Sequence, residues 1–146
     1  MTSKPDGDTS IDELVAVYHR YVSTGAATDF WAWDRVGEIV RGPDPERAWD
    51  LVAALVHASS DDRLGYVGAG PVEDLVNHHG ASLIDWIVGE AKRDPRFCEA
   101  LASIWLVQED VPPEVLRRTQ EATGGRIRVA TQAQIAAATP PHLRDP

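Results

Sequence analysis

The stretch YVGAGPVEDLVNHHGASLIDWIVGEAKRDPRF, residues 66–97, indicates the fold more strongly than any other part of the chain. Glycines and prolines separate runs in which apolar residues recur every three or four positions, the spacing of a helix with one buried face. Gly68 and Gly70 are expected to end one short helix and Pro71 to begin another, which Gly80 then ends. The stretch therefore predicts several short helices packed against one another.

The same pattern continues on both sides of this stretch. Ser10 and Glu13 have the spacing of a capping box at the start of a helix. Asp44 and Asp94 each precede a proline, a favoured way to begin a helix, and the second of these helices is expected to continue to Trp105. The chain is thus predicted to be all-α, a compact single-domain bundle of six to eight short helices. The expected core residues are Trp33, Trp49, Leu55, Leu75, Ile84, Phe97, Leu101 and Trp105.

The predicted helical domain covers residues 10–123. Residues 1–9 are expected to be a flexible N-terminus, and residues 124–146, which are alanine-rich and then proline-rich, a loosely packed or disordered tail. Within that tail, residues 126–130 alternate polar and apolar side chains and fit a short strand, although no strong partner strand is evident. The segments that begin at Asp44 and Asp94 resemble each other, so a degenerate helical repeat is a second arrangement.

Composition limits the class of protein. A chain of 146 residues with 43% apolar residues can form one domain with its own core, without disulfides or a structural metal. The single cysteine, Cys98, has no partner for an internal disulfide, which favours a reducing compartment. No signal-peptide pattern and no membrane-spanning run is present. We therefore expect a cytoplasmic protein with no membrane association and no cofactor.

The charge of the chain points to the kind of partner. The formal net charge is −9, from 23 acidic and 14 basic residues, and the excess lies in residues 1–107. An acidic surface disfavours nucleic acid, because phosphates are bound by lysine and arginine. It favours solubility or attraction to a basic protein.

The only polar cluster with a chemical interpretation lies in residues 73–85. Asp74 and His78 are four residues apart, so their side chains are neighbours on a helix. If Asp85 folds back from the next helix, Glu73, Asp74, His78 and Asp85 form a candidate metal site for Zn, Mn or Fe. The structural alternative is a pair that stabilises the two ends of one helix. No H-E-x-x-H motif or cysteine pair accompanies the cluster.

Four residues are candidates for partner binding: Trp31, Asn77, His79 and Arg96. Phe30 and Trp33 share one face of a helix, while Trp31 points about 100° away from residue 30. One of the two tryptophans is therefore expected to be partly exposed and to be an interface anchor. His79 also fits a residue that donates to a terminal carbonyl before Gly80. Arg96 also fits a buried ion pair, with anion binding as the other interpretation.

The segment GAGPVEDLVNHHGASLIDWIVGEAKRDPRF resembles a family of small uncharacterised bacterial domains. That family has a Gly-Pro-Leu-Glu-Asp-Leu-Leu segment, then a His-Gly, an apolar-apolar-Asp and an Asp-Pro-Arg-Phe. The matching positions here are Gly70, Pro71, Glu73, Asp74, Leu75, His79, Gly80, Asp85, Asp94, Pro95, Arg96 and Phe97. The chain departs at Val72, Val76 and Trp86. The resemblance covers residues 29–105, about half of the chain, and implies no activity.

These observations lead to one functional hypothesis and two alternatives. The hypothesis is a non-enzymatic protein-interaction or regulatory domain of bacterial type, which in one form is an acidic immunity-like or antitoxin-like protein. The first alternative is a metal-dependent enzyme with a carboxylate–histidine site around Asp74 and His78. The second is a homo-oligomeric scaffold.

Overall fold

The computed structural model describes residues 9–143 of the chain, which are mostly helical. The predicted flexible N-terminus lies outside these residues except for Thr9, as do the last three residues of the predicted tail. The helices are α1 (Ile11–Thr24), α2 (Phe30–Val40), α3 (Pro45–Ala58), α4 (Leu64–Val67), α5 (Glu73–Arg93), α6 (Pro95–Ala102), α7 (Pro113–Ala122) and α8 (Gln132–Ala138). Two short strands are β1 (Trp105–Val107) and β2 (Arg128–Ala130). The prediction of an all-α fold is confirmed, since the only sheet among the described residues consists of these two strands.

The helix starts occur where the sequence predicts them. The hydroxyl oxygen of Ser10 accepts a hydrogen bond from the backbone N–H of Glu13 at 3.2 Å, which satisfies a donor that the first turn of α1 leaves unpaired. Asp44 and Asp94 accept in the same way at the starts of α3 and α6, each followed by a proline at the first helical position. Gly25 ends α1 with a φ of 68°, a left-handed conformation that favours glycine.

The predicted end of a helix at Gly80 is wrong, because α5 runs without a break from Glu73 to Arg93. Gly80 is buried where α5 packs against α7, and a Cβ atom at this position would lie 2.8 Å from Cγ1 of Val115. The glycine therefore permits a close approach of two helices instead of ending one. The predicted break at residues 68–70 is also absent, since one π-helical turn, Gly68–Val72, connects α4 to α5.

The core lies between α1, α2, α3, α5 and α6, and α7 covers α5. Leu55, Leu75, Ile84, Phe97 and Leu101 are buried as predicted, and Trp49 packs partly buried against them. The predicted burial of Trp33 and Trp105 is wrong, since these residues are 43% and 52% exposed. On α2, the residues that face the core are Ala32, Val36 and Val40 rather than Trp33.

Trp105 is exposed because the chain leaves the helical conformation before it. Helix α6 ends at Ala102, and Trp105–Val107 forms β1 instead of a further helical turn. Strand β1 pairs in parallel with β2, with Leu106 opposite Val129. This pairing buries Leu106 and the nearby Ile127 and leaves Trp105 on the outer side. The strand expected at residues 126–130 therefore has a partner that the sequence pattern did not reveal.

None of the helices in residues 9–143 combines the length and the apolar character needed to cross a membrane.

Candidate functional site

The four predicted metal ligands are not brought together. Glu73 accepts a hydrogen bond from the backbone N–H of Trp105 at 2.6 Å, and Asp74 forms an ion pair with Arg41 rather than with His78. Asp85 forms an ion pair with Arg118. Since α5 continues through Gly80, Asp85 lies about 16 Å further along the same helix than Asp74 and cannot fold back.

The remaining member of that set, His78, is exposed on α5. Within residues 9–143, no three His, Cys, Asp or Glu side chains are close enough together to hold a metal ion. The described part of the chain therefore provides no ligand set for the alternative of a metal-dependent enzyme.

The predicted partner-binding residues have different environments. Asn77 is exposed on α5, whereas Trp31 is partly buried against the core. The indole nitrogen of Trp31 and the Nε2 atom of His79 are both buried and make no hydrogen bond with residues 9–143. These two nitrogen atoms are thus not accessible to a partner, although both residues are partly exposed.

Arg96 connects the start of α6 to the end of α3. Its guanidinium group donates hydrogen bonds to the backbone carbonyl oxygens of Val56, His57 and Ser59, and it forms an ion pair with Asp61 at 3.3 Å. The last carbonyl groups of a helix have no partner within it, and an arginine side chain is suited to satisfy them. These contacts support a structural function for Arg96.

The structure has instead a pocket between α1, α2 and the turn that connects α4 to α5. Its volume is about 270 Å³. The residues that line the pocket lie where these elements meet, and they are Tyr18, Trp33, Val36, Gly37, Arg41, Tyr66, Ala69, Gly70, Pro71 and Asp74. We call it the α1–α2 pocket.

Local backbone features shape one wall of the pocket. The turn Gly68–Val72 is π-helical, so its hydrogen bonds span one residue more than those of an α-helix. Such turns often occur at functional sites. Pro71 is accommodated in this turn although it lacks a backbone N–H. On the opposite wall, Gly37 leaves room for the guanidinium group of Arg41, because a Cβ atom there would lie 2.6 Å from one of its nitrogens.

Arg41 and Asp74 provide one positive and one negative charge in the pocket. One Arg41 nitrogen donates to Oδ2 of Asp74 at 3.1 Å, and both side chains remain partly exposed. This bond is the only hydrogen bond that either side chain makes with residues 9–143, so most donors of Arg41 and the Oδ1 atom of Asp74 stay available. An exposed pair of this kind contributes only about 0–1 kcal/mol to stability.

The hydroxyl group of Tyr18, on α1, also lies at this pocket, near Gly70. Tyr18 is 1% exposed, and its hydroxyl makes no hydrogen bond with residues 9–143. Burial raises the pKa of this phenol, and the nearby Tyr66 and Asp74 raise it further. Tyr18 is therefore a neutral group that can donate and accept a hydrogen bond.

Large aromatic side chains lie at the pocket or next to it. Phe30 and Tyr66 are 45% and 46% exposed, similar to Trp33. The rings of Phe30 and Trp33 stack with a centroid distance of 5.5 Å, and Tyr21 packs edge-on against Phe30 at 5.6 Å. We call Tyr21, Phe30, Trp33 and Tyr66 the aromatic face.

Sequence reasoning identified only part of this site. The helical pattern indicated that one of Trp31 and Trp33 is exposed, but Trp31 was assigned to partner binding and Trp33 to the core, whereas the exposed one is Trp33. It did not single out Tyr18, Arg41 or Tyr66, which are far apart in the chain. The glycines that flank Tyr66 and precede Pro71 were the one local signal, because they indicated an irregular backbone there.

A model of a family of unknown function (DUF6869) matches residues 21–127. The chain belongs to this family. No curated protein and no solved structure matches the chain. The DUF6869 match extends beyond the resemblance seen in residues 29–105, and it includes the aromatic face and every residue that lines the pocket except Tyr18.

Proposed function

We propose that this DUF6869 chain is a protein-interaction domain that binds a positively charged protein through the aromatic face. The observation that carries the proposal is the grouping of three exposed aromatic side chains: Trp33 and Tyr66 line the pocket, and Phe30 stacks on Trp33 beside it. Tryptophan, tyrosine and arginine are the residue types that most often dominate binding energy in protein interfaces. Arg41 adds the third of these types within the same site.

The rigid arrangement of the face supports the same proposal. Phe30 stacks on Trp33, and Tyr21 packs edge-on against Phe30, so each ring has a neighbour that restricts its motion. Side chains that are already ordered lose little conformational entropy when a partner covers them. The aromatic face is therefore well suited to contribute net binding energy.

The overall charge supports a basic partner. A net charge of −9 attracts positively charged proteins over distances of about one Debye length, roughly 8 Å at physiological salt. Neutralisation of a basic toxin or nuclease is one version of this proposal, and it rests on the charge alone. A scaffold built from copies of this chain is the competing arrangement. The net charge disfavours it, because equal negative charges oppose self-association.

The test is affinity capture of partners from a host cell extract, with wild type, the double variant Phe30→Ala/Trp33→Ala, and Trp105→Ala as matched control. Trp105 is also exposed but lies on β1, outside the pocket and the aromatic face. We expect wild type and Trp105→Ala to retain the same basic protein, and the double variant to lose at least tenfold in affinity. The affinity should fall with added salt.

Three results would contradict the proposal. One is equal capture by the double variant, and another is a captured partner that is acidic and insensitive to salt. The third is a dimer or larger oligomer of the chain, measured by light scattering, whose formation requires Phe30 and Trp33. That result would favour the scaffold.

A further inference from the structure

We propose that the α1–α2 pocket binds a small zwitterion, a free amino acid with an apolar or aromatic side chain. This inference goes beyond the proposed partner binding, because it assigns a ligand to the pocket rather than to the surface around it.

The size of the pocket fits such a ligand. The volume of the pocket is about 270 Å³. Pockets for drug-sized molecules and cofactors are usually about 300–1,000 Å³. The pocket thus has room for a molecule of amino-acid size or for one side chain.

The charges of the pocket select a ligand that carries both signs. A carboxylate can accept from the nitrogens of Arg41 that Asp74 does not use, and an ammonium group can donate to Oδ1 of Asp74. The ion pair between the two residues does not need to break. A ligand with one charge meets one attractive and one repulsive group, so a zwitterion is favoured over a simple anion or cation.

The other walls of the pocket indicate what kind of side chain the amino acid carries. Val36, Ala69 and Pro71 are apolar, and Trp33 and Tyr66 add aromatic surface that is suited to an apolar or aromatic side chain. At the base of the pocket the hydroxyl of Tyr18 has no hydrogen-bond partner in the described chain, although the residue is almost fully buried. This hydroxyl lies 4.0 Å from the position that a Cβ atom of Gly70 would occupy in the pocket wall, and it can donate or accept a hydrogen bond with a ligand there.

The experiment is a titration of the purified chain with leucine, phenylalanine and tyrosine, followed by isothermal calorimetry and by the NMR signal of the Trp33 indole N–H. The amino acid that binds best is then compared with its N-acetyl derivative, which lacks the ammonium charge, and with its methyl ester, which lacks the carboxylate. We expect saturable binding of at least one amino acid, and a loss of tenfold or more for each derivative.

Variants assign the binding to the pocket. Arg41→Gln and Asp74→Asn should each lower the affinity at least tenfold, and Tyr18→Phe should lower it severalfold. The matched control is Arg35→Gln, which removes the Arg35–Glu38 ion pair at 3.0 Å on α2, the helix that Arg41 follows, but outside the pocket. Circular dichroism checks that each variant is folded. The proposal would be overturned if Arg41→Gln and Asp74→Asn fold with wild-type stability and bind the amino acid with unchanged affinity.

Two further outcomes would also overturn it. One is the absence of binding by all three amino acids at millimolar concentration. The other is equal affinity for the amino acid, its N-acetyl derivative and its ester. The result is separable from partner binding, because Phe30 belongs to the aromatic face but does not line the pocket. Phe30→Ala should leave amino-acid affinity within about twofold of wild type even where it weakens partner capture.

Discussion

The missing side chain of Gly80 determines how closely α5 and α7 approach each other. A Cβ atom on this residue would lie 2.8 Å from Cγ1 of Val115 and 3.5 Å from its Cγ2. Valine is branched at Cβ and has little freedom at χ1, so it cannot turn away from such a contact. Glycine in the interior of a helix normally costs about 1 kcal/mol relative to alanine, and here the close contact offsets that cost.

We predict that Gly80→Ala lowers the free energy of unfolding by about 1–3 kcal/mol, because the added methyl group forces α5 and α7 apart. The matched control is Gly89→Ala in the same helix, where the nearest atom would be a nitrogen of Arg93 at an ordinary 3.5 Å. That variant should gain up to about 1 kcal/mol from the higher helix propensity of alanine. Urea unfolding measures both, and equal stability of the two variants would contradict this account.

At the scale of elements, an ion pair fixes the connection between α1 and α2. Two nitrogens of Arg20 donate to the two carboxylate oxygens of Asp29 at 2.7 and 2.8 Å. Asp29 is buried at the start of α2, while Arg20 remains largely exposed on α1. The hydrogen bonds from Arg20 lower the pKa of Asp29, although burial opposes this effect. The pair therefore holds a charged carboxylate at the beginning of the helix that carries the aromatic face.

The pH dependence of this pair can be tested with Arg20→Gln. A carboxyl group with a lowered pKa in the folded state adds stability above its unfolded pKa and loses it as the pH falls through the folded pKa. We expect Arg20→Gln to be less stable than wild type at pH 7, and the difference to shrink as the pH falls below about 4. Thermal unfolding from pH 7 to pH 2 gives the measurement.

Arg35→Gln is the control here, since it removes an exposed pair between residues three positions apart on one helix. Its effect should be smaller than that of Arg20→Gln at pH 7. A difference between wild type and Arg20→Gln that grows as the pH falls would contradict the assignment to Asp29.

At the scale of the whole molecule, the C-terminal region consists of two parts with different contributions. Ile127 is buried, and β2 pairs with β1 in the register that places Val129 beside Leu106. In contrast, α8 contains no buried residue, although Thr131 and Gln134 form a capping box at its start. The core therefore extends to β2 and not to α8.

We predict different effects for two truncations. Removal of all residues after Ala130 should change the free energy of unfolding by less than about 1 kcal/mol, because α8 buries nothing in the core. Removal of all residues after Ala122 should cost at least about 2 kcal/mol, because it takes away buried Ile127 and leaves β1 unpaired. Chemical denaturation of both chains measures this, and equal stability of the two would show that β2 does not belong to the core.

Signals between neighbouring residues determined much of the fold. Capping residues such as Ser10, Asp44 and Asp94 act within three or four positions of themselves, as do the prolines after the two aspartates and the left-handed Gly25. Their effects depend on the local backbone, so they could be deduced without any knowledge of distant contacts. The apolar periodicity added the all-α class and most of the core.

The tertiary structure alone decided what the local signals left ambiguous. Glycine is compatible with a helix end and with a tight helix contact, and only the position of Val115 selects the second for Gly80. Trp33 and Trp105 have the hydrophobicity of core residues, but the buried positions next to them in sequence are occupied by Ala32 and Leu106. Tyr18, Arg41 and Asp74 all line the α1–α2 pocket, although they are spread over 56 positions of the chain. No local interaction connects residues so far apart, so only the packing of the helices brings them together.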